Sequence, residues 1–152
     1  MAAADLFELV VGQAQGLALQ VYLGLGAGVR SNGCKESAQG VGIRIPTLCH
    51  HPDLEVAGIC RICLVEVEGQ RTLQAACAYP ITAPIKVNTY SKAVRIARRH
   101  ILDLLLSEHC GDCYSCKRNG NCELQSLAEE YGVDTFRFGH PAEPVPVDES
   151  SF

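Results

Sequence analysis

The chain has 152 residues, nine cysteines, and thirteen basic against seventeen acidic side chains, for a formal net charge of -4. That length suffices for one compact domain, or for a small domain with an appended module, around a real core. The acidic balance argues against nucleic acid as the main partner, because phosphate recognition runs on an excess of Lys and Arg.

Met1 to Val11 carries Asp5 and Glu8 where a secretory signal needs positive charge, so no export signal is read there. The longest apolar stretch, Gly16 to Val29, is interrupted by Gln20 and several glycines and is too short to span a bilayer. The expectation is a soluble, cytoplasmic chain, at most peripheral to a membrane complex, with no direct membrane span. In that compartment disulfides are rare, so the nine cysteines point to metal binding. Their odd number and their CxxC clustering argue against a secreted disulfide scaffold.

In chain order, Leu6 to Val11 and Leu17 to Leu25 are rich in strand formers and flank Gly12 and Gly16, which predicts a hairpin. Gly24, Gly26 and Gly28 follow, but Val29 occupies the third position of a dinucleotide fingerprint. Gly28 to Gly33 has the gap of a P-loop and continues as Cys34-Lys35 instead of Lys-Ser/Thr, so neither nucleotide motif is complete. Asn32-Gly33 breaks the chain, and Ile43 to Leu48, with Pro46, reads as an extended approach to Cys49.

Leu64 to Glu68, then Gly69-Gln70, then Arg71 to Ala76 predict a second hairpin with a Gly-X turn. Pro80 and Pro84 mark loop, and Ile85 to Thr89 alternates as a short strand does. From Ser91, an N-cap, the apolar residues Val94, Ala97, Ile101, Leu104 and Leu105 recur at helical spacing as far as Ser107. That stripe reads as core, and the basic residues Lys92, Arg95, Arg98 and Arg99 read as a solvated face. A second helix is signalled by Leu124, Leu127, Ala128 and Tyr131, closed by Gly132. After Gly139 three prolines and no periodicity indicate a linker or tail.

Two cysteine constellations carry the chemistry. In the first, Cys49, Cys60, Cys63 and Cys77 are separated by ten, two and thirteen residues. Four thiolates meet the need of a 2Fe-2S cluster, two for each iron. Gly58 lets the backbone approach the inorganic sulfides, and Cys77 returns along the hairpin that starts at Cys63. The ten-residue interval exceeds the four of a plant-type ferredoxin, so a larger loop bulges between the first two ligands.

In the second constellation, His109, Cys113, Cys116 and Cys122 are separated by three, two and five residues, with Asn119-Gly120 supplying a tight turn. Three cysteines and one histidine supply the four corners of a 4Fe-4S cube. Cys110, Cys113, Cys116 and Cys122 would supply four thiolates with the Cys-x2-Cys-x2-Cys spacing of bacterial ferredoxins, and spacing alone leaves both sets open. A zinc-stapled interaction module is the competing class; zinc draws two close pairs into one tetrahedron, whereas these ligands fall into two sequential groups.

The segment IPTLCHHPDLEVAGICRICLVEVEG, the AAC at Cys77, and SEHCGDCYSCKRNGNCELQSLAEEYGV resemble the N-terminal iron–sulfur region of one family. It is shared by the G-type subunit of respiratory complex I, the large subunits of many iron-only hydrogenases, and the alpha subunits of NAD-dependent formate dehydrogenases. The resemblance covers about Glu36 to Gly139. It implies an α+β fold: a β-grasp 2Fe-2S ferredoxin-like domain followed by a small helical 4Fe-4S module. The expected divisions are residues 1–90 for the first domain, 91–139 for the module and 140–152 for the tail.

The resemblance also favours His109 over Cys110 as the fourth ligand of the cube. Two departures stand out: SNGCKESAQ replaces the family's usual signal, with Lys35 where an apolar residue is expected and with Cys34 in no family role, and the sequence is shorter than the relatives, in which further domains follow a segment like PVDESS. The function implied is one-electron relay between an NADH-oxidising flavoprotein subunit and a catalytic oxidoreductase subunit, with no catalytic site in this chain. A piece of a longer hydrogenase or formate dehydrogenase polypeptide is the alternative. At this length a compact radius of gyration is about 15 Å, which would keep two clusters within reach of each other.

Overall fold

In the computed structural model, which describes residues 20–23, 33–40, 42–109 and 111–133, four strands form one sheet in the order β1-β4-β2-β3. These are β1 (Gln20–Leu23), β2 (Leu64–Val67), β3 (Gln74–Ala75) and β4 (Ile85–Asn88). Every pairing is antiparallel: Val21 and Val67 both face Val87 in register, and Leu64 faces Ala75. β4 is therefore central, and Val87 is fully buried within it.

The alternation of β2 explains its place. Val65 and Val67 are buried while Glu66 between them is exposed, as a period of two requires for a strand with one covered face. The core also holds Ile45, Ala76 and Ile81 together with three sulfurs, those of Cys34, Cys63 and Cys77. Each buried aliphatic side chain contributes roughly 1.5–3 kcal/mol of transfer free energy.

The hairpin of β2 and β3 forms as expected, but its turn is closed by the Gln70 amide donating to the Val67 carbonyl at 3.1 Å. Glu68-Gly69 is thus the central pair, one residue earlier than the Gly-X reading places it. Of the first predicted hairpin, Gln20–Leu23 forms a strand; its other arm lies outside the described residues, as do the glycine motifs after Leu23 and the predicted tail. A seven-residue helix, α1 (Cys34–Gly40), stands where the sequence showed only an unfamiliar segment.

Helix α2 (Lys92–Ser107) begins where expected. The Ser91 hydroxyl accepts from the Val94 amide at 3.2 Å, a cap worth about 1 kcal/mol. Its buried stripe differs from the expectation. Arg98, four residues after Val94 and four before Leu102, shares the face of those two buried residues and is only 2% exposed. Its guanidinium donates to the Leu64 carbonyl at 2.8 Å, which supplies a partner for a group that burial alone would penalise. Lys92, Arg95 and Arg99 are solvated as expected, and Leu104 is 50% exposed.

The chain divides into two compact units between Arg98 and Arg99, inside α2. In the second unit α3 (Glu123–Tyr131) buries Leu127 and Ala128 and ends at Gly132, whose φ of 62° and ψ of 44° are left-handed. The amides of Gly132 and Val133 donate to Glu129 and Ala128, the closure that a C-terminal glycine permits. No helix among the described residues is long and apolar enough to cross a membrane.

Candidate metal centres

The first constellation is built by three pieces of backbone. Ile43 to Thr47 is irregular and leads to Cys49; the turn before β2 carries Cys60 and Cys63; the end of β3 delivers Cys77. The Cys63 and Cys77 sulfurs come within 3.4 Å of each other, both buried. Cys49 and Cys60 form the other close pair: the Cys60 amide donates to the Cys49 sulfur at 3.5 Å. The Cys77 thiol also feels the charges of Cys49 and Cys60, so the four groups share one electrostatic neighbourhood.

Cys77, Cys60 and Cys49 are tuned differently. Burial, then the hydrogen bond and charge of Cys63, push the Cys77 thiol up to about 12. Burial also raises Cys60, reinforced by its bond with Cys49. At Cys49 burial pushes upward too, but the Cys60 amide and thiol and further backbone amides outweigh it, leaving Cys49 below its ordinary value. Loading metal on such a set must release protons, because thiolates are the ligands.

Backbone conformation around the CxxC pair is unusual. Arg61, between Cys60 and Cys63, has φ of 58°, a left-handed conformation that costs a non-glycine residue about 1–2 kcal/mol. Gly58 has φ of 60°, and a side-chain carbon there would meet the Ala78 methyl at 3.6 Å, ordinary contact. The demand for glycine at that position is therefore conformational and not steric. The loop between Cys49 and Cys60 bulges into solvent, with Leu54, Val56 and Ile59 exposed.

The second constellation lies along residues 109–122. The Gly111 amide donates to His109 Nδ1 at 3.2 Å, and the Arg118 amide donates to the Cys116 sulfur at 3.4 Å. Asn119-Gly120 forms the tight turn, closed by the Asn121 amide on the Arg118 carbonyl at 2.9 Å. Gln125 braces it, accepting from the Gly120 amide and donating to Asn119. Cys122 is the N-cap of α3, at the positive end of the helix dipole.

Among the described residues no three His, Cys, Asp or Glu side chains converge around a single point, as one bound ion would require. The first set is instead arranged as two pairs. His109, Cys113, Cys116 and Cys122 are strung along one loop, and Cys110 lies outside the described residues. None of the eight described cysteines is in a disulfide. The donor set, sulfur in pairs with backbone amides aimed at two of the sulfurs, fits iron–sulfur chemistry, in which N–H···S bonds offset the charge of the cluster.

Comparison with known proteins agrees. Residues 36–92 match the family model of the 2Fe-2S iron-sulfur cluster binding domain, and residues 98–137 that of the NADH-ubiquinone oxidoreductase-G iron-sulfur binding region. The chain is 47% identical over 104 residues to the NADP-reducing hydrogenase subunit HndD of Solidesulfovibrio fructosivorans, covering 64% of this chain and 18% of the relative. It is 45% identical over 98 residues to the NADH-ubiquinone oxidoreductase 75 kDa subunit of Reclinomonas americana, covering 64% of this chain and 14% of the relative.

A chain in the crystal structure of an NAD+-reducing [NiFe]-hydrogenase in the H2-reduced state superposes with a TM-score of 0.70 at 34% identity, covering 80% of this chain and 51% of that one. The match thus spans less than a fifth of the two curated relatives. Residues 36–92 are a ferredoxin-like 2Fe-2S domain and residues 98–137 an iron–sulfur binding region of the NADH-ubiquinone oxidoreductase G type, so the chain's cofactors are one 2Fe-2S and one 4Fe-4S cluster.

Proposed function

We propose that this chain is an electron-relay component of a multi-subunit oxidoreductase, passing single electrons between an NADH-oxidising flavoprotein partner and a catalytic subunit. The carrying observation is the pairing of four thiols, half-buried Cys49 with Cys60 and buried Cys63 with Cys77, inside the 2Fe-2S domain. Each pair would hold one iron. His109, Cys113, Cys116 and Cys122 would hold the 4Fe-4S cluster, in a small helical module flanked by α2 and α3. The domain assignment that goes with this reading is 1–90, 91–139 and a tail from 140.

The clusters would supply reversible one-electron chemistry. The protein's own contribution is to bury Cys63 and Cys77, aim amides at the sulfurs of Cys49 and Cys116, and place Cys122 at a helix N-terminus. The relatives named for NADH and NADP reduction or oxidation support a nicotinamide-linked partner. The reading is independent of whether the region serves as a separate subunit or within a longer catalytic polypeptide.

A redox titration followed by electron paramagnetic resonance tests it. Two distinct one-electron signals are expected, and NADH should reduce the chain only when a flavoprotein partner is added. Direct reduction by NADH alone would contradict the relay role.

A further inference from the structure

We infer that the first turn of α1 is a charged staple that ties together the two ends of the 2Fe-2S loop and holds two opposite charges, each of which shifts the reduction potential of that centre in its own direction; this rests on the ligand set proposed above. On one side the staple holds the backbone around Cys77. The Cys34 amide donates to the Tyr79 carbonyl at 3.0 Å and the Lys35 amide to the Ala76 carbonyl at 3.1 Å. Helix N-terminal amides ordinarily find side-chain caps or water. Here they are used by the main chain flanking Cys77.

On the other side the same turn holds His50, the residue after Cys49. Lys35 Nζ lies 2.9 Å from His50 Nδ1, His50 Nε2 lies 3.1 Å from Glu36 Oε1, and Lys35 Nζ lies 3.6 Å from the same carboxylate oxygen. An ammonium only donates, so Nδ1 accepts and the ring proton sits on Nε2, where it donates to Glu36. The result is a closed ring of a cation, a neutral imidazole and an anion. Its side chains are largely withdrawn from water, at 8, 9 and 20% exposure for Lys35, His50 and Glu36.

Gly33 makes room for this arrangement. A side-chain carbon there would collide with the Glu36 carboxylate, which leans back over the start of the helix. One helical turn therefore joins the chain next to Cys49 to the chain on both sides of Cys77, and it carries two opposite charges at reduced solvent screening. An added electron is favoured by the Lys35 ammonium and disfavoured by the Glu36 carboxylate.

The test measures the midpoint of the 2Fe-2S centre in the full chain, reconstituted anaerobically with iron and sulfide. The unaltered chain must first show the resonance of a reduced 2Fe-2S centre. Its absence overturns the ligand assignment and the staple with it, whereas its presence with misbehaving variants overturns the staple alone. Lys35→Met should lower the reduction equilibrium about tenfold, or ~59 mV for one electron, and Glu36→Gln should raise it by about as much.

The double variant should return to within about threefold of the starting value, because the two charges oppose each other. Shifts of the same sign, or none, in the two single variants overturn the proposal, since a purely structural role gives no reason for opposite signs. If Lys35→Met fails to load, Glu36→Gln and Lys35→Arg decide. A raised midpoint in the first and an unchanged one in the second support the staple; any other combination overturns it.

Discussion

The sulfurs of Cys63 and Cys77 lie 3.4 Å apart although thirteen residues separate them, because the β2–β3 hairpin folds the intervening chain back on itself. Two thiolates at that separation suit one iron of a two-iron cluster. Cys63→Ser and Cys77→Ser should each abolish the 2Fe-2S resonance and leave that of the 4Fe-4S centre. Iron analysis should fall by about two per chain in both variants. Loss of both signals together would show that the two centres are not held by separate ligand sets.

A neutral imidazole in place of a thiolate leaves a cluster less negative and so easier to reduce, the logic that applies to Rieske centres. His109→Cys should retain the cube and lower its midpoint by something on the order of 100 mV. Cys110→Ser should change neither content nor potential. An unchanged midpoint in the first variant, or cluster loss in the second, would transfer the ligand role to Cys110.

Cys34 belongs to neither ligand set. It is fully buried, and burial, then the neighbouring Cys63 and Glu36 charges, push its thiol up to about 12. Only the thiolate reacts with alkylating agents, and the proton is held to a higher pH in the folded chain than in the unfolded one. Iodoacetamide at about pH 8 should therefore label Cys34 on the order of a thousandfold more slowly in the native protein than after denaturation, read by peptide mass mapping. Raising the pH should speed native labelling; labelling at the unfolded rate would contradict the burial described here.

Gly132 ends α3 with φ of 62°, a conformation in which a side-chain carbon is crowded by its own backbone. Gly132→Ala should destabilise the second unit by about 1–2 kcal/mol. Thermal unfolding followed by circular dichroism checks this, with Ser126→Ala as a comparison on the exposed side of the same helix.

Much of the architecture was legible because the signals were local. Ser91 caps α2 as its residue type suggests, Gly132 closes α3, and the valines of β2 alternate with Glu66. Helix α1 was not legible, because seven residues hold too few turns for a periodicity, and its amides are satisfied by Ala76 and Tyr79 from far along the chain. Arg98 was misread for a related reason. Its charge argued for solvent, while the Leu64 carbonyl that accommodates it is a tertiary partner.

At the candidate site, the grouping of Cys49, Cys60, Cys63 and Cys77 followed from spacing and the hairpin. Their pairing into Cys49 with Cys60 and Cys63 with Cys77 depended on three-dimensional placement. The Lys35–His50–Glu36 ring could not be read from sequence at all, since it joins two segments whose only hint was a lysine out of pattern.

The most direct test of the central claim is the iron and acid-labile sulfide content of the chain purified under strict exclusion of oxygen. Two iron and two sulfide from the first centre, with four of each from the second, are expected per chain. A preparation that carries zinc and no labile sulfide would contradict the account.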